Sequence, residues 1–301
     1  GSTDKSVQMV REIAKNNPLI TVRAFKERKG KTVRLNDFYK IAKSDFLLQL
    51  DGDIVLSGRY EIEKLIKRIQ SDDQIVVAAA HQTPVPSETF VGKILYTNHV
   101  LWDKTRVDIN HGDHIHNLQG SAVLLRGSFA KRVQYPGDIT CDQGYLYVKA
   151  HKYGRFAYVP DTKILYRPIS TFEDYKRLAP RAMNERYALV RSFGPNVLSL
   201  YRVPLKYKVI GFISTLAEYP IYTVCAVILN IGSKILTKKR AHYSSIWETL
   251  ESTKREIPSA TSYRRNGYKT VKISHPIFRS SVGVASDIFV FLSLRHFHLP
   301  R

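Results

Sequence analysis

The sequence predicts an α/β fold: a mostly parallel sheet flanked by helices, followed by a basic, partly apolar helical region at the C-terminal end. Three observations predict it. Short β-branched, apolar runs alternate with amphipathic helical stretches over the first 80 residues. The helical stretches supply the crossovers that parallel strands need. After residue 200 both the charge and the apolar content change. With 301 residues, 44% apolar and 11% aromatic, the chain is long and apolar enough for a large core, which excludes a disordered protein.

In chain order, Gly1-Ser2-Thr3-Asp4 offers cap residues to a helix carrying Val7, Val10, Ile13 and Ala14 at helical spacing. Such a turn ordinarily follows a strand, so the sequence reads as a fragment beginning after one. Residues 19–25 read as a strand and 26–31 as a basic loop. Residues 32–43 read as a helix with Leu35, Phe38, Tyr39 and Ala42 inward, and 46–50 as a short strand ending on Asp51-Gly52-Asp53. Residues 60–70 form a helix and 74–80 a buried strand. Beyond 80 the order loosens: a helix over 88–101, a polar His-rich stretch over 103–117, a strand over 122–125, a helix over 142–153 and a strand over 156–159. A long charged helix over 171–191 is expected to kink at Pro180.

The formal charge is +21, from 47 Lys/Arg against 26 Asp/Glu. That predicts an anionic partner. Residues 201–301 hold 16 Lys/Arg and 5 Asp/Glu, a net of +11. Two cysteines, Cys141 and Cys225, exclude a disulfide scaffold and a four-cysteine zinc site. The domain reading is a catalytic unit over 1–200 and a basic, membrane-associated helical unit over 201–301.

The candidate chemistry sits where a strand ends. In open α/β sheets ligands lie beyond the carboxyl ends of the strands. Asp51 and Asp53 fall there, and strand alternation sends both carboxylates to one side, where they can hold a hard divalent cation against phosphate oxygens. Lys29-Gly30-Lys31, opening a helix, offers backbone N–H groups and positive charge to an anion. Asp142 opens another helix, as a cap or as a general base. His111, Asp113, His114 and His116 form a dense cluster that reads as a zinc site or, preferably, a polar acceptor-side loop. Cys141 has no base evident beside it in the sequence.

These features, in this order, resemble the family 2 glycosyltransferases. Gly1-Ser2-Thr3-Asp4 resembles the end of that family's nucleotide turn, and Lys29-Gly30-Lys31 through Leu35-Asn36 its Gly-Lys-x-x-x-Leu-Asn segment. Asp51-Gly52-Asp53 is similar to its Asp-X-Asp motif and Gln119-Gly120-Ser121-Ala122 to its small-residue turn. Cys141-Asp142 stands at its acidic pair, and Trp247 with Ser252-Thr253-Lys254-Arg255 resembles a membrane-proximal ending. The resemblance implies a GT-A fold and an inverting hexosyl transfer from a nucleotide-sugar donor to a glycan or lipid-linked acceptor. It implies that Asp142 is the base, that Asp53 holds Mg²⁺ or Mn²⁺, and that Asp4, Gly30, Lys31, Asn36, Asp51 and Gly120 bind the donor. Arg177 and Arg181 are further candidates for the diphosphate. The Gln-x-x-Arg-Trp pattern of processive members is reduced to Arg181, which points away from a polysaccharide synthase.

Residues 209–229 are apolar for 21 positions, enough for a bilayer at ~1.5 Å per residue, but Glu218 and Pro220 interrupt them. Basic residues flank both sides. The pattern predicts two short helices meeting at Glu218-Tyr219-Pro220 on an anionic membrane surface, with the active site on the cytoplasmic side. Residues 282–299 read as a second membrane-contacting element or a core helix. The alternative function is a non-catalytic basic module for lipid or nucleic acid; no nucleic-acid motif accompanies the charge, so that partner is disfavoured.

Overall fold

The computed structural model describes residues 5–18, 20–137, 139–236, 250–253 and 289–294. Its centre is a six-stranded sheet of β1 (Phe46–Asp51), β2 (Ile54–Leu56), β3 (Ile75–Pro84), β4 (Ala122–Arg126), β5 (Arg155–Tyr166) and β6 (Phe289–Leu294), in the order β2-β5-β3-β4-β1-β6. The sheet is mixed, which corrects the mostly parallel expectation. Only β3 and β5 pair in parallel; β4 runs antiparallel to both β1 and β3, β2 to β5, and β6 to β1. Burial on both faces makes β4 (Ala122-Val123-Leu124-Leu125) as apolar as a parallel strand, so its direction is not written in its composition.

Alternation along the strands divides the core. Phe46, Leu48 and Leu50 of β1 face α3 (Glu61–Gln70) with its Leu65, Ile66 and Ile69. Leu47 faces the other side, where α2 (Lys31–Ile41), α5 (Gly127–Ala130), α6 (Asp142–Tyr153) and α8 (Ala188–Phe193) pack. α1 (Ser6–Lys15) precedes them, and α4 (Phe90–Arg106) follows β3.

Several expectations change. Residues 20–25 form no strand; none of them is buried and none pairs into the described sheet. The charged stretch over 171–191 divides after residue 184. α7 (Phe172–Asn184) runs through Pro180 and is followed by a 3₁₀ turn over Glu185–Tyr187 and then α8. Of residues 282–299, the described part is β6, a strand at the sheet edge and not a helix.

Residues 209–229 divide as expected into α9 (Leu205–Glu218) and α10 (Pro220–Leu236), and both pack along α4. Among the described residues no helix is long and apolar enough to cross a membrane. Asp4 and the other residues of the opening turn, together with Trp247, Lys254 and Arg255, lie outside the described residues.

Candidate active site

Four chain segments meet at the carboxyl end of β1. β1 delivers Asp51. β4 runs the opposite way beside it, so its incoming turn, Gly120-Ser121, lies at the same end; the Asp51 N–H donates to the Ser121 carbonyl at 2.9 Å. Gly30, at φ +84°, caps α2 and is followed at once by Lys31. That φ is one glycine adopts without strain. Asp142 is the first residue of α6, where a carboxylate is favoured by the helix dipole.

Lys31 ties these segments together. Its ammonium donates to Asp51 Oδ1 at 3.0 Å and to the Gly120 carbonyl at 3.4 Å, and it stands 3.3 Å from Asp142 Oδ2. Those two legs, 3.0 and 3.3 Å, place the Asp51 and Asp142 carboxylates within 6.3 Å of one another. Burial pulls the lysine pKa down, but the charges of Asp142 and Asp51 outweigh it and hold the ammonium well above its usual range. Gly120 is a close approach: a Cβ there would sit 3.3 Å from Asp142 Oδ2 and 3.4 Å from Lys31 Nζ.

Asp53 lies in the turn between β1 and β2. Burial, and then the neighbouring Asp51 charge, push its pKa up to about 6. A carboxylate so disfavoured as an anion is suited to a cation. No group of three or more potential metal-ligating side chains occurs among the described residues. The donor set on offer is therefore Asp53 with Asp51, which fits an ion such as Mg²⁺ that takes one or two carboxylates and completes its shell with phosphate and water.

Two further groups belong to the site. Gln49, in the middle of β1 and 2% exposed, accepts from the Tyr39 hydroxyl at 2.9 Å and donates to the Gly120 carbonyl at 3.0 Å. A glutamine inside the run Phe-Leu-Leu-Gln-Leu is a signal available in the sequence, because a polar side chain in a buried strand needs partners. Glu185, at the break after α7, accepts from Gln143 Nε2 at 3.4 Å, and Gln143 in turn accepts from the Gly120 N–H at 3.3 Å. Burial first, and then the Asp142 charge, push Glu185 up to about 8, while Arg181 pulls the other way. Nothing in the local sequence marks Glu185; only the fold brings it to Asp142.

The remaining candidates separate. Arg181 is buried and acts electrostatically on Glu185, so it belongs to this cluster. Arg177 is half exposed and pairs with Glu173 at 3.4 Å. The amide of Asn36 is committed to the backbone of Tyr135: Nδ2 donates to its carbonyl and Oδ1 accepts from its N–H, both at 2.8 Å. It clamps the loop leading to Asp142.

The His-rich stretch is packed. His116 lies against Trp102 and Tyr201, His114 faces the Arg202 carbonyl, and Asp113 accepts from Tyr147. Burial lowers both His114 and His116. Buried Arg106 anchors the stretch through Asp103, Asn117 and Gln119. The Cys141 thiol is pushed up by burial and meets the Tyr201 hydroxyl, a poor setting for a nucleophile. A cavity of about 170 Å³ between α4, α7 and α10, lined by Leu95, His99, Tyr175, Leu178 and Met183, contains none of the acidic residues.

Residues 1–133 match the model of the family described as Glycosyl transferase family 2. Among solved structures the chain is similar to a mannosyltransferase from Pyrobaculum calidifontis in complex with GDP-Man and Mn²⁺. The two share 16% identity at a TM-score of 0.48, and the match covers 80% of this chain and 66% of that one. No curated protein matches.

Proposed function

For a chain whose residues 1–133 match the glycosyl transferase family 2 model, we propose inverting transfer of a hexose from a nucleotide-diphosphate donor to a hydroxyl acceptor on a glycan or lipid. One observation carries the reading: Lys31, from a third part of the chain, draws together a base candidate, Asp142, and Asp51 at the acidic strand end.

In this reading the donor diphosphate lies at the carboxyl end of β1, over Asp51 and the N-terminus of α2. The acceptor hydroxyl approaches Asp142. Its oxygen forms a bond to the anomeric carbon as the bond from that carbon to the diphosphate breaks, and its proton passes to Asp142. Attack and departure on opposite faces invert the centre. A divalent cation held at Asp53 would neutralise the departing diphosphate. Lys31 supplies a second positive charge at the same place. Arg181 offers a guanidinium beside Glu185, and Gln49 with Gln143 hold the Gly120 turn open to the base.

The test is nucleoside diphosphate release by the full chain with a panel of nucleotide sugars and Mn²⁺. The expected result is release with one donor, abolished by chelation and by Asp53→Ala. Salt-sensitive nucleic-acid binding with no release from any donor would point to the basic binding module instead.

A further inference from the structure

α9 and α10 are packed inside out. Ten of the 17 large apolar side chains exposed by the described residues lie on these two helices. On α10 they fall at Ile221, Val224, Ile228, Ile231 and Ile235, between 48% and 77% exposed. On α9, Val209, Ile210 and Ile213 are exposed in the same way. The opposite faces, turned to α4 and α7, carry mostly small or polar residues, with Leu229 and the rings of Tyr219 and Tyr222 packed among them. Thr215, Thr223 and Ala226 are fully buried. Asn230 donates to Asn98 of α4 at 2.6 Å, Ser233 to the Tyr175 hydroxyl of α7 at 2.8 Å, and Lys104 of α4 meets Glu218 at 2.6 Å. Gly211 lies so close to α4 that a Cβ would come within 2.2 Å of Thr105 Oγ1.

A helix in water buries its large apolar residues and exposes its polar ones. Small residues and hydrogen-bonding amides between helices, with β-branched apolar residues outside, are the arrangement adopted where the surroundings are hydrocarbon. At ~1.5 Å per residue the two helices measure roughly 21 and 26 Å, each short of the ~30 Å hydrocarbon core. Exposed Lys206 and Lys208 open α9, and exposed Lys234 stands near the end of α10, positions suited to anionic headgroups. The apolar face extends over two helices, broader than the single seam of a helix pair.

We propose that the outward face of α9 and α10 is immersed in the hydrocarbon of one bilayer leaflet, with neither helix crossing it. This rests on the packing of the hairpin and is independent of the transferase reading. The test is flotation of the full chain with vesicles of phosphatidylcholine, with and without phosphatidylglycerol. The chain is expected to float with both, more completely with the anionic lipid. Combining Ile228→Glu with Ile231→Glu should cut the floating fraction at least about tenfold. Circular dichroism should be unchanged, and Ile41→Glu, an exposed apolar site on α2, should have no effect. A parent chain that stays in the aqueous phase overturns the proposal. So does a lipid-indifferent dimer that the double variant dissociates, because the face would then belong to a second copy.

Discussion

The carboxyl end of β1 and the α9–α10 hairpin handle polar groups in opposite ways. At the strand end, charged groups gather around Lys31 at the rim of an apolar core in which Leu48, Val123 and Leu124 are fully buried. In the hairpin, Thr215, Thr223 and Asn230 face inward while ten large apolar side chains are exposed. The difference teaches that each region is built for what surrounds it. The strand end keeps charges in reach of a polar ligand, and the hairpin turns most of its large aliphatic side chains outward, the feature on which the proposed lipid contact rests.

The largest effect expected from a single change is at the base. Asp142→Asn keeps the shape but removes the proton acceptor, and turnover should fall about 10²–10⁴-fold in a nucleoside diphosphate release assay. An unchanged rate would leave the strand end a structural cluster and erase the contrast with the hairpin.

Next is the hairpin itself. Gly211→Val drives a side chain into Thr105, and overpacking of this kind costs about 1–3 kcal/mol. The loss should appear in chemical denaturation. If it does not appear, α9 is not held against α4 in the way that makes its outer face apolar.

Glu185 gives a pH signature. Its pKa is about 8 in the folded chain against 4.5 as the ordinary value, so between these pH values the folded state keeps a proton that the unfolded state releases. Stability is therefore greatest at or below pH 4.5 for this group, and declines as pH rises towards 8. Glu185→Gln should flatten that decline, leaving the variant more stable than the parent at pH 9 and little changed at pH 5, read from denaturation midpoints. Parallel pH profiles would show that Glu185 is not carrying its proton.

The smallest effect separates structure from ligand at the site. Asn36→Ala removes two hydrogen bonds to Tyr135, worth roughly 1–2 kcal/mol of stability, while donor affinity should be little changed. A selective loss of donor affinity at full stability would return Asn36 to the donor.

Much of this was legible in the sequence because the signals are local. The period-two alternation of Phe46, Leu48 and Leu50 against Leu47 marks β1 and both its faces, and Asp142 marks the first turn of α6. The Glu218-Tyr219-Pro220 break between α9 and α10 is equally local, since proline cannot continue the hydrogen-bond ladder of the preceding helix. What was not legible depends on partners distant in sequence. Residues 20–25 have strand composition but no pairing in the described sheet. β4 has the composition of a parallel strand and runs the other way. The partner of the Asn36 amide, Tyr135, lies 99 residues away. Glu185 is one acid among many until the turn after α7 sets it beside Gln143.

The central claim is that sugar transfer takes place between Asp53 and Asp142 at the end of β1. The most direct measurement is a crystal structure of the full chain with Mn²⁺ and the nucleoside diphosphate of the donor it uses. The account predicts the cation on the Asp53 carboxylate, the diphosphate beside Lys31, and an opening towards Asp142 on the far side from the phosphates. A nucleotide bound elsewhere, with the Lys31 bridge between Asp51 and Asp142 undisturbed and no metal at Asp53, would contradict it.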